Sequence, residues 1–235
     1  RVVQCILIHL LKHQNPCTHE TENLARALKE TIRGRMKFMS ALSLETQAEQ
    51  IVDDLIGQIG DAKAFDLAIA FINPNNLDAA EQVFKGPQDR TQAIHFIGCT
   101  AAAIIGKTHE VEDRPSTSLL VANLPGVHIE NIVAIDEIAS GVRSDTRACI
   151  LLVDPFSTDS EELMRHLNGL APEAPVIGGI ASWASRPGQN RITSNGHISG
   201  SGFAGLLLSG NLSVTSVVSQ GCRPVGGKYE ITASH

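Results

Sequence analysis

The chain has 235 residues, a formal net charge of −6, 43% hydrophobic residues and 19% charged residues. This length allows one or two domains, and the composition supplies a sizeable core and argues against broad disorder. The acidic balance speaks against a nucleic-acid binder, which needs a basic stripe. No apolar run approaches the roughly 18 residues that span a bilayer, so neither nucleic acid nor membrane is an expected partner.

Residues 1–35 open on an apolar stretch, Val2 to Leu11, interrupted by Gln4 and His9, with no small-residue cleavage site after it. A helix is predicted over 20–33, with Leu24, Ala27, Leu28 and Ile32 on one face. The segment shares no feature with the rest of the chain. It is expected to be an extension, poorly ordered or not native, with Met36 as a candidate start.

Met36 to Leu42 reads as a strand, and Ser43 as the cap of a helix whose stripe runs Leu44, Ala48, Ile51, Val52, Leu55, Ile56, Ile59 to Gly60. Leu67 to Ile72 is an apolar run ended by Asn73-Pro74; a short helix, Leu77 to Phe84, comes next. Ala93 to Ile97 then leads into Gly98-Cys99-Thr100. Gly106 to Pro115 is a loop or hairpin tip, Ser118 to Leu124 a strand, and Leu124-Pro125-Gly126-Val127 a turn from which Val127 to Ile132 is expected to pair back as an edge strand. Ile135 to Ser140 fits either helix or strand.

Ile150 to Val153 is a buried strand ended by Asp154-Pro155. Thr158 and Glu161 have capping-box spacing before a helix with Leu163, Leu167 and Leu170 on one face, stopped by Pro172 and Pro175. Val176-Ile177 opens a strand expected to end at a second glycine turn, Gly178-Gly179. Ser185 to Gly202 reads as a long loop with a hairpin at Asn195-Gly196. Phe203 to Ser209 is a strand, with a turn at Ser209-Gly210-Asn211 and a returning strand over 212–219.

The order run, Asx-Pro, helix, run, glycine turn, run occurs twice, and the spacing from Asn73 to Asp154 agrees within one residue with that from Gly98 to Gly178. The expected fold is therefore α/β: two similar strand–helix–strand halves from an internal duplication, with a mixed sheet.

The stretches LAIAFINPNN (67–76), FIGCTAAAIIGKTHEVED (96–113), SLLVANLPGV (118–127), CILLVDPFSTDSEEL (149–163), APVIGGIASWASRPGQNR (174–191) and GLLLSGNLSVTSVVSQGCRPVG (205–226) resemble the N-terminal domain of the FIST family, named for F-box and intracellular signal transduction proteins. The resemblance implies a domain over 36–226 and the start of a truncated further region at 227–235, with a C-terminal companion domain missing from this chain. It also implies a sensory module that binds a small ligand, amino acids among those proposed, and works with signalling partners. The helix at Leu77 to Phe84 is shorter than the family leads one to expect.

The residues themselves offer a ligand site. Open α/β sheets bind ligands beyond strand C-terminal ends. Gly98, Cys99, Thr100, Gly178 and Gly179 would bring backbone amides to a carboxylate or phosphate. Ser182, Ser185, Arg186 and Arg191 would add hydroxyls and a guanidinium; Trp183 would stack on a ligand or anchor its loop. Each has a plainer reading: glycines that tight turns need, and ordinary surface-loop side chains. The five cysteines are scattered, odd in number and without Cys-x-x-Cys spacing, so no disulfide framework or zinc site is expected and the setting is read as reducing and cytoplasmic. His95 lies on the same strand face as Cys99, which admits a cysteine hydrolase, although a small buried thiol is the plainer account. His109 with Glu110 and Glu112 reads as a solvated face rather than a metal site. No Walker loop or dinucleotide fingerprint is present, so no cofactor, metal or catalytic residue is assigned. The leading reading is a non-enzymatic small-ligand sensor; the alternative is the substrate-recruiting domain of an F-box ubiquitin-ligase adaptor.

Overall fold

Strand β3 (Leu67–Asn73) is apolar from Leu67 to Ile72 because both of its faces are covered. Leu67 and Ile69 belong to a core shared by two β-sheets, whereas Ala68, Ala70 and Ile72 pack under helices. Strand β9 (Thr146–Val153) repeats the arrangement. Ala148, Ile150 and Leu152 face the inter-sheet core, and Cys149, Leu151 and Val153 face the helical side. The computed structural model describes residues 9–10, 36–60, 64–107 and 109–216. Over these the chain forms four layers, helix on sheet on sheet on helix, which bury one face of each helix and both faces of each sheet.

The first sheet runs in the order β12 (His197–Ser199), β11 (Ile192–Ser194), β4 (His95–Thr100), β3, β7 (Ser116–Asn123), β2 (Lys37–Ser43). The second runs β10 (Val176–Ile180), β9, β13 (Phe203–Gly210), β8 (Val127–Ile132). Both are mixed. In the series β4–β3–β7–β2 and in the series β10–β9–β13–β8, the first two strands are parallel and each later pair is antiparallel. Helices α1 (Ala48–Ile59) and α2 (Leu77–Thr91) precede and follow β3, as α3 (Ile135–Gly141) and α4 (Ser160–Leu170) precede and follow β9. The topology of the two halves is thus the same; descent from one duplicated unit is a proposal that this sameness supports. A hairpin of β5 (Ile104–Gly106) and β6 (His109–Val111) and a two-residue pair, β1 (His9–Leu10) with β14 (Val214–Thr215), complete the described strands.

Several local readings are corrected. Helix α2 runs to Thr91 rather than Phe84, through Gly86 and Pro87. These two read as breakers, but Gly86 is where α1 crosses: a Cβ there would lie 2.3 Å from a Val52 methyl. Ser43 ends β2 and does not cap α1. Its hydroxyl accepts from the Glu45 amide, and the N-cap is Gln47. The cap of α4 is Asp159 rather than Thr158, with Oδ1 accepting from the amides of Glu161 and Glu162 at 2.9 and 3.0 Å. On that helix Leu163 and Leu167 are buried, but Leu170 is 42% exposed.

Strand β8 does not return to β7. It pairs with β13 in the second sheet, so the Leu124–Val127 turn carries the chain from one sheet to the other. The ambiguous stretch at 135 is the short helix α3, with the Glu137 carboxylate accepting from the amides of Val133 and Ala134. The Asn195-Gly196 hairpin forms, both residues at positive φ, and packs β11 against β4 with Ile192, Thr193 and Ser194 buried. Within the expected returning strand, β14 is short and pairs with β1, not with β13. Other expectations for residues 1–35, and those for 217–235, lie outside the described residues.

Candidate functional site at the crossing of the two sheets

After β4 and after β10 the chain leaves the C-terminal edge of its sheet, and the two exits meet. The Ala101 amide donates to the Ile72 carbonyl and the Ala181 amide to the Val153 carbonyl, both at 2.8 Å, so each strand is held to its parallel neighbour to the last residue. Between the exits, the Ser182 amide donates to the Thr100 carbonyl at 3.3 Å and the Ala102 amide donates to Ser182 Oγ at 3.2 Å. The chain from Ala181 to Arg191 then loops over this crossing and enters β11 in the other sheet.

Two buried side chains set the loop. Asn190 and Asp154 are both fully buried. Asn190 Nδ2 donates to Asp154 Oδ1 at 2.9 Å and to the Ala181 carbonyl at 3.2 Å; its Oδ1 accepts from the Ala184 amide at 3.0 Å and from the Thr100 hydroxyl at 3.4 Å. Asp154 Oδ2 accepts from the Ser157 hydroxyl at 2.6 Å and from the Phe156 amide at 3.3 Å. Burying a carboxylate is costly without such donors. In the sequence Asp154 reads only as a strand terminator, and Asn190, a lone Asn in a Gly- and Ser-rich loop, carries no spacing signal.

Of the nine predicted positions, Thr100, Ser182 and Arg191 are brought together. Arg191 is committed: its Nε donates to Glu81 Oε1 on α2 at 2.7 Å, and Nη1 donates to the carbonyls of Gly188 and Asn190. Ser185 and Arg186 lie exposed on the loop, and Trp183 is half-buried beside them. Among the described residues Arg186 has no ion-pair or hydrogen-bond partner.

The glycines are not turns. Gly98 lies inside β4, flanked by β3 and β11, so the backbone groups of Gly98 and Cys99 are taken up by ladders on both sides. A Cβ at Gly98 would come within 2.6 Å of the Ala70 carbonyl oxygen and 2.8 Å of the Phe84 ring, so the glycine permits close packing of strand and helix. Gly178 and Gly179 lie inside β10, which continues to Ile180. Among the described residues, strand β10 is the outer strand of its sheet, bonded to β9 alone. In a parallel ladder alternate residues bond to either side, and here Pro175 and Ala181 bond inward. Alternate backbone groups of β10 therefore face the open edge, next to Ile180, which is 52% exposed.

Cys99 sits in the inter-sheet core, and burial pushes its thiol up to about 12. His95 is four residues away along a strand, about 13 Å at 3.3 Å per residue, and its Nδ1 meets Asn131 Oδ1 at 2.5 Å. The two do not form a nucleophile and base pair. Among the described residues no group of three His, Cys, Asp or Glu could hold a metal, and no helix is long and apolar enough to cross a membrane. A separate small cleft lies where α1 and α2 begin, lined by Glu45, Thr46, Asn73, Asn75 and Thr117 among others. It holds roughly one water and includes none of the nine positions.

The FIST N domain matches residues 66–235. An uncharacterized protein of Mycobacterium tuberculosis (strain CDC 1551 / Oshkosh) is 33% identical over 175 residues, 72% of this chain and 45% of its own length. An uncharacterized protein of Mycobacterium bovis (strain ATCC BAA-935 / AF2122/97) is 31% identical over 196 residues, 80% of this chain and 49% of its own length. The chain spans about half the length of these curated relatives.

Proposed function

The chain belongs to the FIST N domain family, a signal-transduction-associated domain, and from that premise we propose that it is a non-enzymatic sensory domain that binds a small carboxylate or amino acid at the crossing of its two sheets. One observation carries the reading. Arg186, exposed and unpaired among the described residues, stands on a loop that leaves the C-terminal end of β10 and is tied down at Ala181, Ala184 and Asn190. A guanidinium binds a carboxylate through two parallel N–H donors. Ser182 and Ser185 add hydroxyls; the Ser182 oxygen already accepts from Ala102, and its hydrogen remains to donate. Outward amides of β10 complete the donor set, and Ile180 and Trp183 give it an apolar side. The contribution first expected of Gly98, Cys99 and Arg191 falls away from contact with ligand, because their polar groups are occupied or buried.

A thermal-shift screen of amino acids and small carboxylates tests this. A ligand present at a hundred times its dissociation constant stabilises the folded state by about 2.7 kcal/mol, which such a screen detects. A second reading, the substrate-recruiting domain of an F-box adaptor, draws on the same open edge, since an unpaired outer strand accepts an extended segment by β-augmentation. A screen without hits, together with a partner peptide that pairs with β10, would favour it. The companion region, the signalling partner and a cytoplasmic setting belong to this proposal as well.

A further inference from the structure

Resting on that reading of the loop as the ligand-facing element, we infer that Asp154 and Asn190 form a buried latch, a pair of positioning residues that fixes the conformation in which Ser182, Ser185 and Arg186 are presented. Asp154 directly follows β9 in the second sheet and Thr100 ends β4 in the first, and Asn190 bonds to both. The same side chain holds the loop at Ala181 and at Ala184. Every polar atom of the Asn190 side chain is used, and none of its partners is on a helix. The far carboxylate oxygen of Asp154 is fixed by Ser157, whose own oxygen accepts from the Gly202 amide at the start of β13. The loop is thus tied to the ends of both sheets through one residue. Between Ala184 and Asn190 the side chains are exposed, so the latch supplies the definition that packing does not. A buried polar group held this way costs more to break than it adds when made, which suits a device with two states: seated, with every bond formed, or released into water.

The test uses the whole 235-residue chain and its single tryptophan, Trp183. Asn190→Asp keeps the shape but replaces the donor facing Asp154 with a second carboxylate. Asp154→Asn added to it restores a donor–acceptor pair of opposite sense, and only the Ala181 carbonyl goes without. The single variant is expected to shift Trp183 emission to the red, to raise its quenching by acrylamide, and to speed exchange of the hydrogen-bonded Ser182 and Ala184 amides by about tenfold or more while β9 and β13 keep their protection. The double variant is expected to recover most of each change. A merely structural role would lower protection in both sheets and leave no selective loop signal. Unchanged Trp183 in Asn190→Asp, uniform loss of protection, or a double variant no better than the single would each overturn the latch. Should Asn190→Asp fail to fold, recovery of folding in the double variant supports the pair, and failure of both contradicts it. Ligand binding is read separately. A loosened loop in a protein that binds no carboxylate leaves the latch standing and removes the sensor reading. Tight binding that is indifferent to loosening removes the positioning role.

Discussion

The backbone amide of Arg191 donates to the side-chain hydroxyl of Thr100 at 2.9 Å, while the amide of Thr100 donates to the carbonyl of Arg191, also at 2.9 Å. Thr100 therefore joins β4 to the end of the loop with one backbone bond and one side-chain bond, and its hydroxyl reaches Asn190 as well. Thr100→Val keeps the shape and leaves the Arg191 amide without its acceptor. The bond is only partly buried, so a loss of about 1 kcal/mol in unfolding free energy is expected, the low end of the range for an orphaned donor. Urea titration of the two proteins measures it, and equal midpoints would show that the bond contributes nothing.

Gly178 of β10 and Gly98 of β4 are required by packing. Gly178 has φ +147° and a Cβ there would sit 1.8 Å from the Leu151 carbonyl oxygen, a backbone atom that cannot move aside. Gly178→Ala is expected to destabilise the fold severely with no ligand present. Gly98→Ala meets the Ala70 carbonyl oxygen and the Phe84 ring and is expected to cost about 1–3 kcal/mol as an overpacked site. Thermal unfolding of the two variants without ligand checks both; an unchanged midpoint for Gly178→Ala would return that glycine to a ligand role.

Cys99 and Cys149 are buried thiols, each pushed up to about 12 by desolvation. Their folded pKa lies above the unfolded value of 9.0. Above the unfolded value the unfolded chain gives up protons that the native chain keeps, so the stability these thiols contribute is complete below pH 9.0 and declines toward pH 12. Each thiol adds a slope of about 1.4 kcal/mol per pH unit in that window. Cys99→Ala removes one such slope, so the stability gap between variant and wild type should narrow from pH 8.5 to about 10.5. The same burial predicts slow alkylation of both thiols at neutral pH. Rapid labelling of Cys99 in the native protein would revive a nucleophilic role.

Much of the architecture was legible because burial on two faces leaves plain runs of apolar residues. The strands at Leu67, Ile150 and Phe203 all lie within a few residues of where the sequence puts them. The sequence could not say which sheet each strand joins. Val127 to Ile132 reads as a hairpin partner of the strand before it, and only the inter-sheet core sends it to β13. Helix α2 was cut short because Gly86 and Pro87 carry local breaker propensity, which contact with α1 overrides. The site was legible in part. Hydroxyls and arginines mark the loop after β10 as a candidate, but Arg191 pairs with Glu81 from a helix 110 residues away in sequence, and no local pattern announces it. Asp154 and Asn190 were missed as a pair for the same reason, their bond spanning 36 residues.

The described core residues that link the two sheets lie within 67–208, and of residues 1–35 only β1 is described. A protein beginning at Met36 is expected to keep one cooperative thermal transition, because β1 contributes a single two-residue pairing with β14. A broad or strongly lowered transition would place the first 35 residues in the core.

Trp183 lies between Ser182 and Ser185 on the loop that carries Arg186, so its fluorescence reports the proposed site directly. The decisive measurement is a titration of Trp183 emission with a panel of amino acids and small carboxylates, in wild type and in Arg186→Ala. The sensor account predicts a saturable change with at least one ligand and an affinity weakened by about 1.5–3 kcal/mol on loss of the guanidinium, the range for a hydrogen bond to a charged group. No saturable change with any ligand, or binding of equal strength in both proteins, would contradict it.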